Sequence, residues 1–289
     1  MPKNRKLIAV SGGVDSMVLL NNYKDEDIIV AFVNYNKRKD SIVDQQIAID
    51  YCNKNKITIE ILWLSEEHQG NFQEWARNKR YDFFKIIYAK HKCQELLIAQ
   101  HKDDFLETAI MQWRAKRNPY YFGISKNSQI FGMNVSRPMI FKYWKSEIYE
   151  IAFELNITFN EDTTNFTDLY QRNIIRNSLN NKPIIVKEMI FNVFQKINVL
   201  KSIQNIKIIS KYYEWSNLTY NVEFLRNNRN YSQDLIFKFL IHNFKDINIS
   251  KNIIKSIEIF LLSPQNETKK FILSDNQKIG KLNNNVIIK

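Results

Sequence analysis

The segment SGGVDS, which spans residues 11–16, carries the residue types of an anion-binding turn. It follows the apolar run KLIAV and precedes a second apolar run, so a strand, a turn and a helix are expected in that order. Its two glycines permit tight turning and a close approach of the backbone to a ligand. Backbone N–H groups and the helix N-terminus then face the anion. The predicted binding residues are Ser11, Gly12, Gly13, Val14, Asp15 and Ser16.

Two familiar nucleotide-binding patterns do not match this segment. It lacks the Gly-Lys-Ser/Thr ending of a Walker A loop, and its glycines do not have the GxGxxG spacing of dinucleotide-binding proteins. The structural alternative is a tight turn in which Asp15 or Ser16 only caps the following helix. The complete strand–turn–helix context favours an anion site over that alternative.

A second group of candidate residues lies in the segment AQHKDDFLETAIMQWR. Asp104 and Glu107 are three residues apart at the start of a predicted helix and share one face of it. Two carboxylates near a triphosphate suit a magnesium ion, which takes one or two carboxylate ligands and keeps most of its waters. His101 is a candidate for proton transfer or for donation to a phosphate. The alternative is an ordinary helix-capping box.

Two pairs of arginines complete the candidate site. Arg77 and Arg80 are one turn apart in NFQEWARNKRYDFF, and Arg172 and Arg176 are four residues apart in YQRNIIRN. The planar guanidinium group suits phosphate better than the lysine ammonium does. Solvated basic helix faces are the alternative for both pairs.

The elements that must position these residues alternate by their hydrophobic period. Over the first 100 residues the pattern predicts the order β-α-β-α-β-α-β. This order indicates an α/β domain with a parallel sheet and helices on both faces, a Rossmann-like arrangement. Ligands of such sheets bind beyond the carboxyl ends of the strands, where both SGGVDS and the segment after Gln100 are expected.

The pattern changes at Ile184, where long helices begin. We expect helices over about 184–213, 232–244 and 250–262, and a hairpin around 274–280. The predicted domains are therefore residues 1–183, with the candidate site, and residues 184–289, a smaller and mainly helical domain.

Composition limits the function classes further. The 289 residues carry a net charge of +12, and residues 201–289 contain 14 Lys and Arg against 7 Asp and Glu. Such a basic segment attracts polyanions, and nucleic acid is the expected one, with a solubilising surface as the alternative. Cys52 and Cys93 lie far apart, without a zinc or disulfide pattern. No run of 18 apolar residues occurs, so we expect a cytoplasmic protein without a membrane span.

The loop SGGVDS resembles the pyrophosphate-binding loop of the N-type ATP pyrophosphatases, the PP-loop proteins. That family holds the β and γ phosphates of ATP in the loop while the α phosphate is attacked, so ATP is the implied cofactor and adenylation the implied reaction. Six segments together resemble one branch, the tRNA(Ile)-lysidine synthetase family. They are SGGVDS, FVNYNKRKDS, EWARNKRY, QHKDDFLET, SRPMI and EDTTNFTDLYQRNIIR, in the family's order and over about residues 5–180.

This resemblance implies the reaction and its participants. The family attaches L-lysine to the wobble cytidine of an isoleucine tRNA with a CAU anticodon. By resemblance, Asp15, Asp104 and Glu107 act around ATP and Mg²⁺, and Arg77 and Arg176 serve the activated intermediate or the phosphates. The expected catalytic residues are Asp15, Arg77, His101, Asp104 and Arg176, and the expected metal ligands are Asp104 and Glu107.

Some positions depart from the family pattern, and other functions stay open. Phe32, Tyr35 and Gln100 stand where the family usually has histidines. The nearest alternative is a tRNA thiolase, although Cys52 and Cys93 both fit structural roles better than reactive ones. A non-catalytic ATP-responsive RNA-binding protein and a small-molecule synthetase are further alternatives. The sequence also leaves open whether the protein forms a homodimer.

Overall fold

The computed structural model describes residues 4–36, 41–64, 70–160, 171–244, 249–264, 269–274 and 277–288. The chain divides into two compact units, Met1–Asn198 and Val199–Lys289. One long helix begins at Ile184 and ends at Asn217, so the two units divide within it. The segment 161–170, which belongs to one of the six family-like segments, lies outside the described residues, as do residues 37–40.

The first unit is built on a single sheet with helices between its strands. Its strands are β1 (Lys6–Val10), β2 (Ile28–Asn34), β3 (Thr58–Trp63), β4 (Glu95–Leu97), β5 (Asn127–Ile130) and β6 (Met133–Ser136). Its helices are α1 (Val14–Asn22), α2 (Ser41–Lys54), α3 (Phe72–Lys90), α4 (Lys102–Arg114), α5 (Lys145–Glu154) and α6 (Gln171–Asn180), and α7 (Ile184–Asn217) follows.

The sheet confirms the predicted α/β class and adds a hairpin. The strand order is β3-β2-β1-β4-β6-β5, and all neighbours are parallel except β5, which pairs antiparallel with β6. The sequence pattern predicts no strand over residues 127–136, because the strand NSQI is short and polar. It lies at an edge of the sheet, where burial imposes no hydrophobic alternation.

Side-chain alternation along the strands explains the helices on both faces. Ile8 and Val30 pack with α1, α2 and α5 in one hydrophobic cluster. Their neighbours Leu7 and Ile29 pack in a second cluster with α3. Successive residues of a strand point to opposite faces, so strands of continuous apolar sequence bury both faces of a parallel sheet.

A third cluster holds α4, α6 and the start of α7 together. Phe105 of α4 and Phe191 of α7 have ring centroids 5.0 Å apart, and Ile175 and Leu179 supply the buried face of α6. This packing matters for the site, because Arg172 and Arg176 precede these two residues by three positions and reach Glu107 of α4 from the adjoining stripe of α6.

The second unit has its own core. It contains the C-terminal part of α7, with α8 (Val222–Asn227), α9 (Ser232–Asn243), α10 (Lys251–Leu262), β7 (Lys270–Ser274), β8 (Gln277–Leu282) and β9 (Asn285–Ile288). Trp215 is fully buried in this core, and its indole Nε1 donates to the carbonyl of Asn221 at 2.8 Å. Strands β7 and β8 pair antiparallel where the sequence predicts a hairpin, and β9 extends them to a three-stranded sheet.

Among the described residues, no helix has the length and apolar character needed to cross a membrane.

Two glycines at positive φ allow a matched test of packing in the first unit. Gly123 has φ +81° and a Cβ there would lie 2.5 Å from ring carbons of the buried Phe105, whereas Gly132 has φ +80° and open space. We expect Gly132→Ala to cost about 1–2 kcal/mol of unfolding free energy from backbone strain alone. Gly123→Ala adds overpacking and should cost about 2–5 kcal/mol. Urea unfolding of both variants measures the difference, and equal losses would contradict this packing.

Candidate active site

A cavity of about 700 Å³ opens at the carboxyl ends of β1, β2, β4 and β6. The topology predicts a ligand at these carboxyl ends of the strands, and the volume is typical of a small-molecule site. The polar residues that line it are Ser11, Asp15, Ser16, Tyr35, Arg77, Arg80, Tyr81, Gln100, Asp104, Thr108, Arg137, Arg172, Asn173 and Arg176. Gly12, Gly13, Val14, His101 and Glu107 are not among the lining residues.

The turn before α1 is shaped by a close backbone contact and by a serine hydroxyl. Gly12 has φ +81°, and a Cβ there would lie 2.7 Å from the carbonyl oxygen of Asp44 in α2, so only glycine fits. Ser16 Oγ accepts from the N–H of Ser11 at 3.1 Å and donates to the carbonyl of Gly13 at 2.9 Å. The first N–H groups of α1 have no acceptor within the helix. The turn can therefore present them to an anion, as the sequence predicts.

Asp15 is held in place by a lysine from a distant part of the chain. Its Oδ1 accepts from Lys145 Nζ at 2.7 Å and lies 3.7 Å from His101 Nε2. Lys145 is the first residue of α5 and follows Asp15 by 130 residues. No local sequence signal identifies Lys145, because only the packing of α5 on α1 brings the two side chains together.

His101 lies under the cavity and faces three carboxylates. It is 7% exposed, and its ring nitrogens lie 3.7 Å from Asp15, 3.5 Å from Asp103 and 3.5 Å from Asp104. The Nδ1 contact with Asp103 lacks hydrogen-bond geometry, so Nδ1 is buried without a hydrogen-bond partner. Burial lowers the pKa of His101, but the carboxylates together outweigh burial and raise it above the usual value.

Asp103, which the sequence analysis did not select, is a buried carboxylate that is 5% exposed. It accepts from Lys187 Nζ at 2.7 Å through Oδ1 and from the backbone N–H of Lys145 at 2.8 Å through Oδ2. Burial on its own raises the pKa of Asp103, but His101, Lys187 and this N–H hold it well below the usual range. Asp103 therefore joins the starts of α4, α5 and α7.

Asp104 combines the two roles that the sequence analysis weighed. Its Oδ2 accepts from the N–H of His101 at 3.1 Å, as in a capping box, and its Oδ1 accepts from Arg172 Nη2 at 3.1 Å at the cavity surface. Capping and a place in the site do not exclude each other here.

Glu107 is placed differently from its expected role as a magnesium ligand. One oxygen accepts from Arg176 Nε at 2.7 Å, and the other accepts from Arg172 Nε at 2.7 Å and from Arg176 Nη2 at 3.3 Å. Its side chain is 2% exposed. Burial lowers the pKa of Arg176, but Glu107 outweighs burial and raises it. The contacts of Glu107 are those of an anchor for two arginines, and they leave little access for a metal ion.

The arginines of α3 also reach the cavity, without carboxylate partners in the described part of the chain. Arg77 lies over the ring of Tyr81, with its guanidinium carbon 4.9 Å from the ring centroid, and Arg80 lines the cavity nearby. Arg137, quoted in the sequence analysis only within SRPMI, lies among them at the end of β6. The site thus contains charged residues that the sequence analysis did not select, among them Asp103, Arg137, Lys145 and Lys187.

The cysteines do not resemble those of a sulfur-transfer site. Burial raises the pKa of Cys52 to about 12 and that of Cys93 to about 11. Both thiols are buried and neither lines the cavity. Reactive cysteines are typically accessible and have a lowered pKa, so both residues are structural.

The Asp103–Lys187 pair allows a test of what fixes the start of α7. Lys187→Met leaves Asp103 buried without its cation and should cost about 3–5 kcal/mol of unfolding free energy. The exposed Lys182→Met is the matched control and should change little. Adding Asp103→Asn to Lys187→Met should recover part of the loss, because the buried charge is then gone. Urea unfolding measures all three, and a small, additive set of losses would show that the pair is unimportant.

Comparison with known proteins shows which family the chain belongs to. The family model described as the PP-loop domain matches residues 1–183. A tRNA(Ile)-lysidine synthase of Mycoplasmopsis pulmonis is 45% identical over 272 residues, which cover 93% of this chain and 94% of that protein. The tRNA(Ile)-lysidine synthase of Mesomycoplasma hyopneumoniae is 35% identical and covers 96% of this chain and 94% of its own length.

Solved structures agree on the fold. The U34-tRNA thiolase NcsA from Methanococcus maripaludis superimposes with a TM-score of 0.54 at 17% identity, and the match covers 68% of this chain and 73% of the thiolase. That structure contains a [4Fe-4S] cluster, whereas this chain has only two cysteines and cannot supply the three or four thiolates that such a cluster needs. The likeness to the thiolase concerns the fold alone, and the sequence relatives decide the branch: the chain belongs to the tRNA(Ile)-lysidine synthase family of PP-loop proteins.

Proposed function

We propose that this protein is an ATP-dependent ligase that attaches L-lysine to the wobble cytidine of an isoleucine tRNA with a CAU anticodon. The observation that carries this proposal is the meeting, in one cavity, of the turn before α1 with Asp104, Arg172 and Arg176. In a chain of the tRNA(Ile)-lysidine synthase family, an anion-binding turn beside an arginine-rich surface suits the activation of an RNA base by ATP. The products are lysidine in the tRNA, AMP and pyrophosphate.

The first step is adenylation of the cytidine. The turn and the N-terminus of α1 hold the β and γ phosphates. The cytidine O2 forms a bond to the α phosphorus while the bond to the bridging oxygen of the β phosphate breaks, so pyrophosphate leaves. Arg172 and Arg176, oriented by Glu107, are suited to stabilise the charge that develops on the α phosphate.

The second step transfers lysine. The ε-amine of lysine bonds to C2 of the cytidine and the C2–O2 bond breaks, so AMP leaves with that oxygen. The ε-ammonium first loses a proton, and Asp104 and His101 are the candidates to receive it. Asp104 lines the cavity, whereas His101 lies beneath it with a raised pKa. We therefore assign the proton acceptor to Asp104 and a positioning role to His101.

Magnesium is the expected metal, but its proposed ligands differ from the pair Asp104 and Glu107 that the sequence predicts. Asp15 and Asp104 line the cavity, and each carboxylate oxygen can accept more than one contact. Asp15, with phosphate oxygens of ATP, would hold Mg²⁺, because Asp104 is assigned the proton and the oxygens of Glu107 are occupied by arginines. When bound, the ion supplies neutralisation of the phosphate charge.

The basic second unit is the proposed holder of the tRNA. Residues 201–289 carry 14 Lys and Arg against 7 Asp and Glu, and positive surfaces bind nucleic acid by counterion release. A tRNA substrate also implies action in the cytoplasm. A division of labour between a catalytic domain of residues 1–183 and a tRNA-binding domain of residues 184–289 follows from this proposal.

Removal of the charge of Asp15 tests the adenylation step. Asp15→Asn should lower tRNA-dependent AMP release by roughly 10²–10³-fold, the usual effect of losing one group that handles transition-state charge. The exposed Asp25 lies in the turn before β2, at the amino ends of the strands, and Asp25→Asn is the control that should retain activity. Release of labelled AMP measures both. Near-normal AMP release by a folded Asp15→Asn variant would remove Asp15 from the catalytic assignment.

Substrate choice tests the proposed product. Transcripts of the tRNA with CAU and UAU anticodons are each incubated with ATP, Mg²⁺ and lysine, ornithine or arginine. Only CAU with lysine should give a modified nucleoside by mass, because a site that hydrogen-bonds cytosine leaves polar groups unpaired with uracil, which costs roughly 10⁴-fold in favourable cases. Equal turnover of both transcripts, or incorporation of another amine at the same rate, would refute the assignment.

A further inference from the structure

The cavity contains two kinds of arginine. Arg172 and Arg176 are neutralised by Asp104 and Glu107 through contacts of 2.7–3.3 Å. Arg77, Arg80 and Arg137 have no carboxylate within ion-pair distance in the described part of the chain, and they line the same cavity. One side of the cavity is therefore balanced in charge, and the other side carries uncompensated positive charge.

Arg137 is the most constrained of these three cations. It is 5% exposed, and burial lowers the pKa of its guanidinium. Tyr81 opposes this effect and the nearby Arg77 adds to it. Burying a cation without a counter-ion is costly. The presence of the buried Arg137 guanidinium beside the cavity therefore indicates that a ligand supplies the negative charge.

Neutral groups hold the Arg137 guanidinium in one orientation. Nε donates to Gln100 Oε1 at 2.5 Å, and Nη1 donates to the carbonyl of Ser125 at 3.0 Å and to Ser128 Oγ at 2.9 Å. These contacts use Nε and Nη1, whereas a guanidinium has five N–H donors. Nη2 has no hydrogen-bond partner among the described residues, so its two donors are available to a ligand in the cavity that Arg137 lines.

The position of Arg137 separates it from the anion-binding turn. The turn follows β1, whereas Arg137 follows β6, and β4 lies between these strands. Two strand spacings place the two strand ends roughly 10 Å apart. If ATP occupies the turn, as the proposed function requires, Arg137 is suited to a second anion from the other substrates.

We propose that Arg137 binds a backbone phosphodiester of the RNA next to the nucleotide that enters the cavity. The two free Nη2 donors suit phosphate oxygens, and Arg77 nearby adds positive charge. Free lysine is the other substrate, but its net charge is positive, so the uncompensated arginines repel it overall. Arg137 in this role positions the reacting nucleotide, and the inference rests on the proposed function for the RNA substrate and for ATP in the turn.

The test measures tRNA binding in the absence of ATP and lysine, so that it does not depend on lysidine formation. Arg137→Gln should weaken binding about tenfold, as expected for a charge-assisted hydrogen bond. It should also reduce the slope of log affinity against log salt by about 0.7, the value for one single-stranded phosphate contact. Arg137→Lys should keep the slope, and inorganic pyrophosphate should bind all variants equally. The control is Arg5→Gln, which breaks the pair with Asp27 at the amino ends of β1 and β2. It should leave the slope unchanged.

A second measurement covers the case in which Arg137→Gln does not fold. The wild-type protein is titrated with an anticodon stem–loop RNA that carries one neutral methylphosphonate linkage, placed on either side of the target cytidine. One of the two placements should weaken binding about tenfold, and where Arg137→Gln folds the two losses should not add. Unchanged binding of both RNAs would overturn the proposal. So would a loss of pyrophosphate affinity in a folded Arg137→Gln variant with an unchanged salt slope, since the anion would then be ATP.

Discussion

The site depends on two buried carboxylates of α4 that must be paired. Asp103 draws in the start of α5 through the N–H of Lys145 and the start of α7 through Lys187, and Glu107 draws in both arginines of α6. A buried carboxylate without such partners would cost several kcal/mol. Three elements that are far apart in sequence are therefore tied to the helix that follows β4. The aromatic cluster around Phe105 and Phe191 packs the same elements from their apolar side.

This pairing divides the cavity into two electrostatic environments. Around Asp15, Asp104 and Glu107, each carboxylate faces a lysine or an arginine, so charges that form during phosphate chemistry meet groups that are already oriented. Around Arg137 the positive charge is uncompensated within the described residues. A guanidinium that is held in one orientation and has unused N–H donors says more about a ligand than an arginine paired with a carboxylate. The described protein groups alone do not neutralise its charge.

The three residues that depart from the family pattern have defined contacts in this chain. Phe32 of β2 is buried in the hydrophobic core, and Tyr35, which lines the cavity, donates its hydroxyl to the carbonyl of Ala76 in α3 at 3.3 Å. Gln100 accepts from Arg137. A neutral amide at this position orients the guanidinium without adding a second titratable group beside it, so the charge of Arg137 stays available to a ligand over the whole physiological pH range.

The sequence by itself determined the α/β class, the glycine-containing turn between β1 and α1 and the helix that carries Asp104, because these follow from local patterns. Adjacent glycines mark the turn, and hydrophobic period separates strands from helices. Tertiary structure alone decided the roles of Asp103, Glu107, Arg137 and Lys145. Asp103 and Asp104 are adjacent in the sequence, yet one is enclosed by Lys187 and the other faces the cavity. The function of an ionisable side chain depends on its partners and burial, and contacts such as that of Asp15 with Lys145, across 130 residues, leave no local trace in the sequence.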